Sequence, residues 1–94
     1  MPEIKVQKHS GDRNSSFFNV EVIEGDTNTE HFVEVTNDYY QALTNGRIEP
    51  ELLVKKSFYF LLEREPKEAI LGRFNLKVIS HYFPDYEEKI HDYL

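Results

Sequence analysis

The chain is expected to fold as a single α+β domain: an N-terminal three-stranded antiparallel β-meander followed by three to four helices packed on one of its faces. Three observations predict this. Residues 1–36 alternate apolar and polar with period two, which sends successive side chains to opposite faces of a strand. After Thr36 the apolar spacing becomes helical, punctuated by Pro50, Pro66, Gly72 and Pro84. A length of 94 residues carries one such unit with its own core, so residues 1–94 are taken as one domain, the meander over 1–36 and the helical part over 37–94.

The strands come first. EIKVQKH sets Ile4 and Val6 on one face. FFNVEVIE sets Phe18, Val20 and Val22 on one face against Asn19 and Glu21, and EHFVEVT sets Val33 and Val35 against Glu34. Between them lie SGDRNSS and EGDTNTE, rich in residues that favour turns, so hairpins are the economical connections. TNDYYQALTNG begins with Asn/Thr cap candidates and ends on Gly46, which predicts a short helix over 38–45. The next helix starts at Pro50, whose missing donor costs nothing in a first turn. Stepping 100° per residue gathers Leu53, Val54, Phe58, Phe60, Leu61 and Leu62 into an arc broader than a surface helix needs. This helix should be central, touching the sheet on one side and the C-terminal helices on the other. Pro66 ends it. KEAILG should then make one or two helical turns stopping at Gly72, and Asn75 should cap LKVISHYF, with Leu76, Ile79 and Phe83 inward. Pro84 opens a polar terminal helix with Tyr86, Ile90 and Tyr93 or Leu94 as its inward stripe, and Asp85 and Glu87 at its positive end.

Composition removes several chemistries. With no cysteine, the chain has no disulfide, thiol nucleophile, iron–sulfur cluster or cysteine zinc site. The N-terminal MPEIKVQKHSGD lacks the apolar core of a signal peptide, and no apolar run approaches the roughly 20 residues that span a bilayer, so a cytoplasmic location without membrane contact is expected. The net charge of −6 argues against a general nucleic-acid coat. Residues 1–36 hold three Lys/Arg against seven Asp/Glu, whereas residues 66–82 hold Lys67, Arg73 and Lys77 against Glu68 alone. A local basic patch is therefore retained in the second half.

Each motif has a plain structural counterpart. Asp26-Thr27-Asn28-Thr29-Glu30 resembles the start of a calcium loop, but the required Gly and acidic positions are His31 and Asn37, so a hairpin turn is expected. His9, His31, His81 and His91 lack any spacing that puts two ligands on one face; they are read as scattered exposed histidines, and no metal or cofactor is implied. Glu63, Glu65 and Glu68 around Arg64 are read as an ion-paired junction, with an Arg64–carboxylate pair tying the Pro66 corner, in preference to a catalytic carboxylate pair. Tyr82, Phe83 and Tyr86 are read as core before interface. Residues 69–82 also offer a helix-turn-helix spacing, with Arg73, Lys77, Ser80 and His81 as the residues that would contact DNA, although Gly72 falls one place early for its turn.

Two strings, SFYFLLEREPKEAIL over 57–71 and FNLKVISHYFPDYEEKI over 74–90, resemble a group of short uncharacterised prokaryotic proteins with an SFxFLLEREPKE…YFPxYE pattern. The recurring positions here are Glu63, Arg64, Glu65, Pro66, Lys67, Tyr82, Phe83 and Pro84; Gly72 and Arg73 lie outside the pattern. The resemblance implies a folded family of prokaryotic origin and brings no activity, cofactor or substrate.

The resulting expectation is a small non-enzymatic module that binds a protein partner or itself. Arg64, Glu65, Lys67, Tyr82 and Tyr86 are its candidate partner-contact or structural-corner residues. The alternatives are a helix-turn-helix regulator using 69–82, and an enzyme whose site is assembled without a motif.

Overall fold

The computed structural model describes residues 2–94. Its sheet has the order β1-β2-β3-β4, with β1 over Glu3–Gly11, β2 over Ser15–Glu24, β3 over Thr27–Thr36 and β4 over Arg73–Asn75. The first three strands form the expected antiparallel meander. Register places Ile4 opposite Val22, Val6 opposite Val20, and Phe18 opposite Val33, so the period-two apolar residues share one face. Val20, Val22, Phe18, Val33 and Val35 are all but inaccessible there. The connections use the chemistry their sequences offer: Asp12 Oδ1 accepts from the Asn14 and Ser15 amides at 2.8 and 2.9 Å, and Gly25 takes φ +61° between β2 and β3.

Helix α1 spans Asn37–Thr44. The Thr36 hydroxyl accepts from the Tyr39 amide at 3.3 Å, and left-handed Asn45 (φ 54°) and Gly46 (φ 73°) stop the helix. Helix α2, Pro50–Leu62, is the centre of the molecule, as its broad apolar arc predicts. Leu53, Val54, Phe58, Phe60 and Leu61 are buried. Phe58 faces the sheet side, 5.3 Å from the His31 ring and 6.1 Å from Phe74. Phe60 faces the C-terminal segments, meeting Phe83, Tyr86 and Tyr93 edge to face at 5.2–6.0 Å. Those segments are α3, Ile79–Tyr82, and α4, Tyr86–Lys89, extended by 3₁₀ turns at Leu76–Val78 and Ile90–Tyr93. Of the predicted inward residues, Leu76, Ile79, Tyr86 and Ile90 are buried, Phe83 and Tyr93 are half-buried, and Leu94 is exposed.

The segment after Pro66 departs from expectation. KEAILG makes a single 3₁₀ turn over Lys67–Ala69, then extends, with Ile70 at φ −75° and ψ 133°. Residues 73–75 form β4, which pairs parallel to β3 through Phe32–Arg73, Val33–Phe74 and Glu34–Asn75. Five residues between a proline and a glycine yield too few internal bonds to offset helix nucleation. Pairing with β3 supplies them instead: the Phe32 amide donates to the Gly72 carbonyl at 2.8 Å, and His31 Nδ1 donates to the Leu71 carbonyl at 2.8 Å. The helix-turn-helix expectation fails for the same reason, because 69–82 contains a strand and short turns where it requires two helices. His31 is a correction as well. It is 4% exposed, its Nε2 lying 2.8 Å from the Thr29 hydroxyl, and it pins the 70–72 segment to β3.

Candidate functional site

The 63–84 stretch divides into a structural brace and an open groove. The brace begins with Lys67, which is only 4% exposed although it is a lysine. Its Nζ lies 2.6 Å from Glu68 Oε2 and 3.3 Å from Glu24 Oε1, so the stem is covered while the charge is met from β2 and from its own turn. The hydrogen bond from Lys67 to Glu68 holds the ammonium pKa above its usual value and the Glu68 carboxyl below its own. Arg64 completes the corner. Its guanidinium sits 3.6 Å from the centre of the Phe60 ring, donates to the Phe60 carbonyl at 3.0 Å, and reaches Asp85 at 3.8 Å. Arg64 does meet a carboxylate, but it is Asp85 and not one of the neighbouring Glu63, Glu65 and Glu68 of the expected junction. The link joins the end of α2 to the start of α4.

Tyr86, a second candidate contact residue, is fully buried. Its hydroxyl is 2.6 Å from Ser57 Oγ, which donates to the Leu53 carbonyl at 2.8 Å. Burial raises the Tyr86 phenol well above its ordinary range. Two further phenols tie the C-terminal segments: Tyr39 donates to Glu87 at 2.9 Å, and Tyr93 donates to Glu63 at 2.7 Å. Arg64, Lys67 and Tyr86 are therefore engaged in holding the corner, and Lys67 and Tyr86 are closed to a partner.

Glu65 and Tyr82 lie on the other side of the division. They line a groove of about 260 Å³ together with Leu61, Ala69, Ile70, Leu71, Phe74, Val78, Ile79 and Phe83. Tyr82 is 66% exposed, against the expectation that it belongs to the core, and Leu71 is 45% exposed. Tyr82 is outward because α3 ends at that residue and Phe83, the C-cap, takes the inward position against Phe60. Leu71 is outward because the 70–72 segment is extended and gives its carbonyl to His31. Within this apolar lining Glu65 is the one charged side chain, and burial raises its carboxyl above the usual carboxylate range. The groove is thus an apolar trough with a partly desolvated carboxylate in its wall. No second acid, base or nucleophile lines it among the described residues apart from the Tyr82 hydroxyl.

The candidate DNA-contact residues are not arrayed on one helix. Arg73 lies in β4 with its guanidinium 4.9 Å from the Phe32 ring centre, Lys77 is on the 3₁₀ turn, and Ser80 and His81 are on the four-residue α3. Ser80 spends its hydroxyl on the Lys77 carbonyl at 2.8 Å. Among the described residues no group of three or more His, Asp or Glu is arranged to hold a metal ion, and no helix is long and apolar enough to cross a membrane. Sequence reasoning missed Leu71, Ile70 and Val78 as groove residues. The available signal was their apolar character beside the Pro66 and Gly72 breaks, which the helical reading assigned to packing. No family model, curated protein or solved structure matches the chain.

Proposed function

We propose that this protein is a non-enzymatic binding module that captures a protein partner by taking an apolar side chain into the Leu71–Tyr82 groove. The observation that carries the reading is the pairing of two exposed large side chains, Leu71 and Tyr82, with a concave apolar floor. A small domain gains nothing by leaving such a surface wet, and aromatic and aliphatic anchors at the rim of a pocket are the usual centres of protein interfaces. Glu65 adds specificity. A partly desolvated carboxylate loses less hydration on binding than a fully exposed one and gains from a cation, so the preferred segment carries Lys or Arg beside its apolar anchor. The brace of Arg64 and Lys67 keeps the groove walls fixed, which lowers the ordering cost of association.

Selection of a random peptide display library against the folded protein tests this reading. Enriched peptides should share an apolar residue flanked by a basic one, bind with perturbation of amide shifts within 61–83, and lose binding on Leu71→Asp or Tyr82→Ala. Peptides without that bias, or binding that both variants retain, would refute it.

A further inference from the structure

The opposite edge of the sheet carries a second surface, independent of the groove. β1 is an edge strand nine residues long, and its outer side pairs with no strand among the described residues. Beside it runs an open groove bounded by Ile4 and Val6 of β1 and by Glu49, Glu51, Leu52 and Lys55 at the start of α2. Val6 belongs to the apolar face yet is only half-buried, and Leu52 is 40% exposed. Both are what a strand added to this edge would cover.

We propose that the occupant of this edge is β1 of a second copy, paired antiparallel about a two-fold axis at Val6. Register follows from charge and from the bulge. Centring the axis on Lys5 sets two ammonium groups directly opposite each other, which is unfavourable. Centring it on Gln7 or beyond runs the pairing into the irregularity between Lys8 and Ser10. Centring it on Val6 places Val6 against Val6, Lys5 against Gln7 and Ile4 against Lys8 within the regular stretch, and only the outermost pair, Glu3 with His9, meets the irregularity. Lys8 pairs with Phe18 inside the chain, so it projects from the same face as Ile4 and α2. In the dimer each Lys8 therefore arrives beside the partner's Ile4, where Glu49 and Glu51 outnumber Lys55 in the α2 wall of the groove. Two symmetric acid–base clusters close the ends of an interface whose middle is Val6 and Leu52. The two sheets become one continuous eight-stranded sheet, and the partner groove beside β4 stays free at each outer end.

Because the chain has no cysteine, Val6→Cys introduces the sole thiol. Directly opposed residues of an antiparallel pair have Cα atoms about 4.5–5.5 Å apart, within the span a disulfide bridges. The expected results are a sedimentation mass of twice the 11.2 kDa monomer, rapid disulfide linkage of Val6→Cys on mild oxidation, and little linkage of Lys5→Cys. Lys8→Glu should weaken the dimer by about tenfold or more, and combining it with Glu49→Lys and Glu51→Lys should restore it. Tyr82→Ala should leave the dimer intact, which separates this proposal from the groove reading. A protein that stays monomeric at about millimolar concentration, or a dimer unaffected by Lys8→Glu and not linked by Val6→Cys, would overturn it.

Discussion

The buried hydroxyl pair between α2 and α4 yields a test in which one missing atom distinguishes two mechanisms. Ser57 Oγ spends its only proton on the Leu53 carbonyl at 2.8 Å, so in the 2.6 Å contact with Tyr86 it is the phenol that donates. Tyr86→Phe removes that donor and leaves Ser57 still bonded as a donor. The loss is one net hydrogen bond, about 0.5–1.5 kcal/mol. Ser57→Ala strands the phenol instead. Tyr86 is 0% exposed, and an unpartnered buried hydroxyl costs about 1–3 kcal/mol. Alanine's better helix propensity returns only about 0.5 kcal/mol of this. The double variant removes both polar groups from an apolar site and should lie close to the better single variant. The cycle should therefore show a coupling of at least about 1 kcal/mol. Urea unfolding and thermal melts followed by circular dichroism measure all four proteins, and in the melts each 1 kcal/mol should appear as a shift of about 4–8 °C for a domain of this size. Two results would refute the reasoning: Tyr86→Phe costing more than Ser57→Ala, or additive losses in the double variant.

The same burial makes the protein sensitive to alkali. The Tyr86 and Tyr39 phenols are raised on folding, so their contribution is complete below about pH 10 and is lost above it, at about 1.4 kcal/mol per pH unit for each. Unfolding titrations from pH 9 to 12 should show this slope, and Tyr86→Phe should reduce it. Glu65 acts at the other end of the scale. Its carboxyl is raised in the free protein, so peptide binding that supplies a cation should take up the charged form and weaken as pH falls into the carboxylate range. Isothermal titration should find this loss absent in Glu65→Gln. At the Arg64 corner, Asp85→Asn removes an exposed pair at 3.8 Å and should cost under about 0.5 kcal/mol. Arg64→Ala also removes the stacking on Phe60 and should cost about 1 kcal/mol more, measured by the same melts. His31→Leu leaves the Leu71 carbonyl without its donor and should cost about 1–3 kcal/mol, with faster hydrogen exchange appearing first at residues 70–75.

Much of the fold was legible because its signals are local. The meander follows from period-two alternation, and its hairpins follow from Asp12 and Gly25. The limits of α1 lie one residue from those read off the Thr36 and Gly46 signals. The width of the apolar arc on α2 was enough to predict that both its sides would be covered, and Phe58 and Phe60 face the two predicted neighbours. The corner at Pro66 was legible for the same reason, a proline stop, whereas the acid that meets Arg64 is Asp85, from beyond Pro84, and not one of the acids beside it in the chain.

The candidate site was only partly legible. Glu65 and Tyr82 were singled out, but alongside Tyr86, whose helical spacing already placed it inward, and Lys67, whose residue type gave no hint that burial would remove it from the surface. A lysine is solvated by default; Lys67 is covered because Glu24, 43 residues earlier in the chain, stands across from it on β2. Strand β4 has three residues and no periodicity to display, so its existence depends on hydrogen bonds offered by β3 some forty positions away.

What the amino-acid sequence determined by itself is the set of elements whose free energy is decided within a few neighbouring residues: caps, turns, alternation and the apolar face of a long helix. What only the tertiary structure decided is the state of residues 67–82. There, intrinsic preference is too weak to fix a helix or a strand, and distant donors and carboxylates make the choice. In making it they bury Lys67, turn Leu71 and Tyr82 outward, and open the groove between them.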